Sequence, residues 1–334
     1  MASYPVEPTV DRIKALYCAS VMADVQGDLE SGAALVAEAR TLTARTSDPM
    51  MRALVADADG TLALYNGDLE RARSRLDTAL AEFRERGERT LETSALYLLG
   101  TTHGLSGSTE QAVESLERVL AITEMHGEKV YRSHSLWALG IAVWQQGDAD
   151  RAIRLLDQSL ELTRQVHSPR FAAACLGALA WIACERRDAA RAAMLMGAAE
   201  GLARSVGSAV VIHSNLLVYQ QNCDQEARKR LGGAVFEEAH RKGRSLDFDA
   251  AIAYALHEQQ AGTTTRDADA STRLTKRERQ VADLIAEGLT NQAIADRLVI
   301  SPRTAQGHVE HILAKLGFTS RTQVAAWVVE QAHD

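Results

Sequence analysis

Leu139-Gly140-Ile141-Ala142-Val143-Trp144-Gln145-Gln146-Gly147-Asp148-Ala149-Asp150-Arg151-Ala152-Ile153-Arg154-Leu155-Leu156 is the stretch whose reading decides the fold. Its landmarks recur along the chain. Gly147-Asp148 has counterparts at Gly27-Asp28, Gly67-Asp68, Gly107-Ser108 and Arg187-Asp188, each forty residues from the next. Five residues beyond the first position of each pair comes a small residue: Gly32, Ala72, Ala112, Ala152 and Ala192. Four further on stand Val36, Leu76, Leu116, Leu156 and Met196, followed by Ala39, Ala79, Val119, Ser159 and Ala199. Upstream, Gly60, Gly100 and Gly140 keep the period, with Ser20 and Ala180 in register. Pro49 and Pro169, each ahead of the first helix of a unit, are three periods apart.

Each unit reads as helix, Gly-Asp turn, helix. Small residues let two helices cross closely, and the Leu positions fill the seam between them. This resembles the tetratricopeptide repeat, whose Leu-Gly and later Ala positions match Leu139-Gly140 and Ala152. The unit here is longer than the ~34 residues of that family. A helical hairpin cannot bury its apolar face alone, so five units are expected to stack into a solenoid over residues 8–258. The period is lost after Leu202. Val210 to Gln221, Asp224 to Glu238 and Asp247 to Glu258 still read as helices, an irregular cap over 209–258. Residues 259–272, small and polar, read as a flexible linker.

The last stretch, 273–332, has different punctuation. Thr275-Lys276-Arg277-Glu278 is a capping box. Its helix runs through Val281, Leu284 and Ile285 and stops at Gly288. Thr290 caps a second helix with Ile294 and Leu298 inside. Ser301 caps a third, with Pro302 at the first helical position. Ala305, Val309, Ile312 and Leu316 make its buried stripe, and Arg303, Gln306, Gly307, Glu310 and Ala314 its small, polar outer face. Ser320 caps a last helix, Arg321 to Gln331. Two short helices on a tight turn, the second with a polar outer face, make a helix-turn-helix.

Four blocks carry a second resemblance: 274–281, 286–295, Ser301-Pro302-Arg303-Thr304, and Ile312-Leu313-Ala314-Lys315-Leu316. Together they resemble the LuxR-type (GerE-like) DNA-binding domain of bacterial regulators. That resemblance implies a four-helix domain whose third helix reads DNA and whose fourth commonly pairs two copies. The family usually has Val-Lys where this chain has Ala305-Gln306, often Asn at His311, and usually Glu at Ala293. The whole arrangement resembles the C-terminal part of large LuxR-family regulators that place an ATPase module ahead of helical repeats. Residues 231–247 look like the piece that precedes their tail. No Gly-x-x-x-x-Gly-Lys-Ser/Thr phosphate loop occurs, so no ATPase module is expected within these residues.

The expected class is all-α: a tetratricopeptide-like solenoid followed by a four-helix LuxR-type domain. From Thr272 onward there are eight Lys/Arg and seven Asp/Glu, a net of +1. That leaves 29 of the 37 basic and 37 of the 44 acidic residues for the body, a net of −8. An acidic body repels DNA, which confines any contact to the tail. No apolar run approaches the ~20 residues of a membrane span. Met1-Ala2-Ser3-Tyr4-Pro5 has neither basic nor apolar signal-peptide character, so a cytoplasmic protein is expected. Cys18, Cys175, Cys184 and Cys223 form no Cys-x-x-Cys pair and read as small buried thiols. The histidines form no metal-ligand array, and no Gly-x-Ser-x-Gly elbow occurs. No catalysis, cofactor or metal is expected. Tyr131 and Trp137 with Trp144 either line a concave groove or belong to the core.

Two readings remain. In the first, the chain is a transcription regulator whose repeats sense an unknown protein or small-molecule signal and whose tail binds double-stranded promoter DNA. In the second, it is an interaction scaffold whose helix-turn-helix has lost DNA binding, a reading that Ala305-Gln306 and the low tail charge favour. For the first, the expected DNA-facing residues are Thr290, Asn291, Arg303, Thr304, Gln306, Gly307, Glu310, His311 and Lys315. Thr290 and Asn291 open a helix whose N–H groups suit a phosphate, and Arg303 and Gln306 suit guanine and adenine edges. Val324, Trp327 and Val328 of the last helix are the expected contacts of a homodimer, because one core face cannot use all its apolar residues.

Overall fold

The Gly-Asp pairs do two jobs at once, and this sets the geometry of the body. In the computed structural model Gly147 ends α7 (Val130–Gln145) at φ +92°, a left-handed conformation that costs glycine little. The N–H of Asp148 returns to the Val143 carbonyl at 3.1 Å, the wider bond of a Schellman closure. The Asp148 carboxylate then caps α8 (Ala149–Val166), accepting from the Arg151 N–H at 3.0 Å. Asp28, Asp68 and Asp188 repeat the cap on Ser31, Arg71 and Arg191.

The structure describes residues 10–207, 213–258, 274, 276–298, 300–316, 318 and 320–331. The chain divides into two compact units, Met1–Gln259 and Gln260–Asp334. The first opens with ten helices in five hairpins. These are α1 (Val10–Gln26) with α2 (Leu29–Thr43), α3 (Pro49–Asn66) with α4 (Leu69–Arg86), α5 (Arg89–Leu105) with α6 (Thr109–His126), α7 with α8, and α9 (Pro169–Glu185) with α10 (Ala189–Ser205). No strand occurs among the described residues.

The period predicts the seam. Leu76, Leu116 and Leu156 have no exposed surface, and neither do Ala72, Ala112, Ala152 or Ala192. A Cβ at Gly60, Gly100 or Gly140 would stand 2.7, 2.7 or 3.1 Å from the Cγ of the Leu sixteen residues on. The glycine is therefore the socket for the leucine. Each such leucine, fully buried, contributes roughly 1.5–3 kcal/mol.

Three more helices close the unit: α11 (Leu217–Leu231), α12 (Gly233–Arg244) and α13 (Phe248–Ala255), after a 3₁₀ turn at Ser214–Leu216. This corrects the helices expected over 210–221 and 224–238. Residues 222–223 lie within one helix, and the break falls at Gly232, φ +77°. The α12 helix crosses α10 backbone on backbone. A Cβ at Gly197 would collide with the His240 carbonyl, one at Gly243 with the Met194 carbonyl, and one at Gly201 would lie 2.7 Å from the Arg244 carbonyl. The α13 end is tied down by Arg191, which donates to the Ala255 carbonyl at 2.7 Å, and by Arg164 paired with Glu258 at 3.0 Å.

The first helices of the hairpins and the turn at His213 also bury polar groups. The Tyr17 hydroxyl donates to Asp57 Oδ2 at 3.0 Å. Asp57 Oδ1, both Asp24 oxygens and both His213 ring nitrogens lack a hydrogen-bond partner. Burial pushes the carboxyls of Asp24 and Asp57 up to about 7 and the imidazoles of His134 and His213 down to about 3, Arg170 adding to the latter. The expected linker, 259–272, lies outside the described residues, as does Thr275 of the expected capping box. No described helix is long and apolar enough to cross a membrane.

Candidate nucleic-acid interface

The second unit holds α14 (Lys276–Ala286), α15 (Asn291–Leu298), α16 (Pro302–Leu316) and α17 (Arg321–Gln331). Each boundary has a chemical cause. Gly288 takes φ +83° after α14, and the Leu289 N–H closes back on the Leu284 carbonyl at 3.1 Å. Thr290 Oγ1 accepts from the Ala293 N–H at 3.3 Å and starts α15. Ser301 Oγ accepts from the Thr304 N–H at 3.1 Å and starts α16. Gln323 reaches back to the Ser320 N–H at 3.0 Å, the returning half of a capping box. The turn between α15 and α16 is pinned by the Ile300 N–H on the Ala295 carbonyl, 3.0 Å.

These helices share one core. Val281, Ala282, Ile294, Ala305, Ile312 and Val324 have no exposed surface. Since Ala305, Val309 and Ile312 face inward, residues four and three apart on the other side of α16 face away from the core. Thr304 and Gln306 are exposed, and around Gly307 a Cβ would meet nothing within 4 Å. The Thr304 hydroxyl is not loose: it lies 2.7 Å from Ser301 Oγ. Thr290 is exposed, while Asn291 is half-buried with its Oδ1 unpartnered. Arg303, Glu310, His311 and Lys315 belong to α16, but their side chains lie outside the described residues.

Sequence reasoning missed the structural use of three arginines. Arg277 donates to the Leu298 carbonyl at 3.0 Å, placing its charge at the C-terminal end of α15. Arg321 donates to the Leu289 carbonyl. Arg279 pairs with Asp283 at 3.1 Å and lies over the Trp327 ring, 5.3 Å from its centroid. These cations brace the fold, which narrows the set left for phosphate contact. The signal was available in part, since Arg279 and Asp283 stand at i,i+4.

The residues expected to pair two copies need a correction. Val324 is fully buried and Val328 is 8% exposed, both within the core of their own unit. The inner face of α17 takes up more of its apolar residues than the sequence suggests. Of the three, Trp327 keeps partial exposure.

Residues 272–328 match the family model described as bacterial regulatory proteins, luxR family. Among curated proteins, the chain is similar to the putative HTH-type transcriptional regulator Rv0890c of Mycobacterium tuberculosis, 44% identical over 97 residues. That match covers 29% of this chain and 11% of the relative, so the chain matches about a tenth of that relative's length. It is also similar to the DNA-binding transcriptional activator DevR/DosR of the same organism, 41% identical over 88 residues, 26% of this chain and 40% of that one. The nitrate/nitrite response regulator protein NarL of Escherichia coli is 45% identical over 69 residues, 21% and 31% of the two chains. Capped helices, shared core and family match agree: the C-terminal unit is a LuxR-family helix-turn-helix domain.

Proposed function

We propose that this chain is a DNA-binding transcription regulator, its repeats taking up a signal or partner and its C-terminal helix-turn-helix binding promoter DNA. The observation that carries this reading is the completeness of the helix-turn-helix: α15 and α16 are each capped, joined by a pinned turn, and fixed on one core with polar residues outward. In this reading the chain works in the cytoplasm, by binding rather than by catalysis. Residues 8–258 form the sensing domain, 259–272 the linker and 273–332 the DNA-binding domain.

The N-terminus of α15, at Thr290 and Asn291, meets a phosphate through backbone N–H groups. Arg303 and Gln306 read base edges, Thr304 and Lys315 hold the backbone, and Gly307, Glu310 and His311 share the face turned to the groove. Two copies pair through the outer side of α17, with Trp327 at the contact, and read half-sites about one helical turn apart.

Arg303→Ala tests the assignment. Specific binding should weaken by about 1–3 kcal/mol while binding to random duplex changes less. Equal loss on both DNAs makes Arg303 a phosphate contact, and no loss on either removes α16 from the groove.

A further inference from the structure

At the end of the repeat array, a cavity of about 270 Å³ is walled by Trp144 at the end of α7, Trp181 in α9 and Tyr219 in α11. Their ring centroids stand 4.9 to 5.9 Å apart. The repeat does not require these rings. Leu64, Gly104 and Cys184 hold the place of Trp144 in other units, and Thr61, Thr101 and Ile141 that of Trp181.

The polar groups around the cavity are unevenly satisfied. The Trp181 indole N–H donates to Gln220 Oε1 at 3.0 Å, a neutral acceptor. The Trp144 indole N–H donates instead to Glu185 Oε2, at 2.6 Å. Glu185 is exposed on the cavity wall and makes no ion pair among the described residues. The other wall carboxylate, Glu226, is held by Arg230 at 2.6 Å. The cation on the wall is therefore already paired, and one negative charge is uncompensated.

These facts select a ligand charge. Aromatic faces carry negative potential and attract cations, Trp most strongly. A carboxylate accepting the indole N–H pushes electron density into the Trp144 ring and deepens that potential. The volume lies just below the ~300–1,000 Å³ of drug-sized ligand pockets, so it suits a compact molecule. We propose that this cavity binds a small organic cation, an ammonium on a short apolar body, seated over Trp144 and beside Glu185. The site does not depend on the DNA-binding reading and is tested without DNA.

The full chain is labelled with 5-fluorotryptophan, and its four ¹⁹F resonances are assigned by single Trp→Phe variants. Choline is titrated as the probe, with 3,3-dimethyl-1-butanol as its neutral carbon isostere. Choline should move the Trp144 and Trp181 resonances saturably and leave Trp327 in place. The neutral isostere should bind at least ~10-fold more weakly. Glu185→Gln should lower choline affinity by ~10-fold while the resonances of Trp137 and Trp327 stay where they were, showing an intact fold. Asn222→Arg, which sets a guanidinium on the same wall, should remove binding. Equal affinity for the two probes, undiminished affinity in Glu185→Gln, or no movement of Trp144 and Trp181 at any choline concentration would each overturn the proposal.

Discussion

Gly307 sits inside α16, and nothing in the protein lies within 4 Å of where its Cβ would be. Gly307→Ala should therefore stabilise the C-terminal unit by up to ~1 kcal/mol, because alanine restricts the unfolded chain and favours helix. Thermal unfolding measures that gain. A parallel loss of duplex affinity means that the methyl meets the groove wall, and unchanged affinity places residue 307 away from it. Asp24 shows the opposite situation, a buried carboxyl with no hydrogen-bond partner and a pKa pushed up to about 7. As pH rises, the unfolded chain ionises this group first, near its ordinary value of about 4. Its contribution to stability is thus whole below about pH 4 and lost as pH climbs through 7. His134 and His213, held down to about 3, act in reverse: their contribution is whole above about 6.5 and lost as pH falls toward 3. Asp24→Asn should raise stability by about 1–3 kcal/mol at pH 8 and change little at pH 4. A gain of equal size at both pH values, read by urea unfolding, would contradict this account.

At the scale of elements, Arg187 stands at φ +67°, the place held by glycine in the four earlier turns. Arg187→Gly should stabilise the last hairpin by ~0.5–1 kcal/mol, the strain of a left-handed side chain outweighing glycine's extra unfolded freedom. A second crossing is far less tolerant. Gly197→Ala should cost about 2–3 kcal/mol, because its methyl meets backbone of α12 rather than a movable side chain. A variant with unchanged urea midpoint would show that α12 can lift away from α10.

These elements also show what was legible in the sequence. The forty-residue period gave the hairpins, the Gly-Asp turns and the Leu seam, because small and large residues must alternate at fixed places for two helices to interlock. A second series, Gly87, Gly127, His167 and Gly207, ends the second helix of four units with positive φ and is less legible. His167 breaks its glycine pattern, and a single histidine gives little hint of a left-handed turn. Of the helices after Leu202, Phe248–Ala255 falls within the expected 247–258, while those expected over 210–221 and 224–238 lie elsewhere, because no period governs them there. Their boundaries follow from Gly232 and from the backbone contact with α10, which is a tertiary constraint. In the candidate interface, the caps at Thr290 and Ser301 and the core stripe were legible because each is local. The bracing roles of Arg277 and Arg321 were not, since each reaches a carbonyl on another part of the fold.

For the whole molecule, charge is segregated: the body holds a net of −8 and the stretch from Thr272 a net of +1. Such a body contributes repulsion rather than affinity at a DNA surface, so the proposed binding would rest on few cations and be sensitive to each. The proposed pairing of two copies would offset this shortage, since two tails double the phosphate contacts. Sedimentation of the DNA-bound protein should give two copies, and a single copy would remove α17 as a pairing element.

The central claim, that α16 enters a DNA groove, is tested most directly by duplex binding measured against salt. For the full chain, log K should fall linearly with log salt on random duplex. For Gln306→Lys, binding should tighten and the slope steepen by ~1.8, one further counterion released in each half of a dimer. An absence of salt-sensitive binding at low salt, in both the natural chain and the variant, would contradict the account and leave the helix-turn-helix as a protein-interaction module.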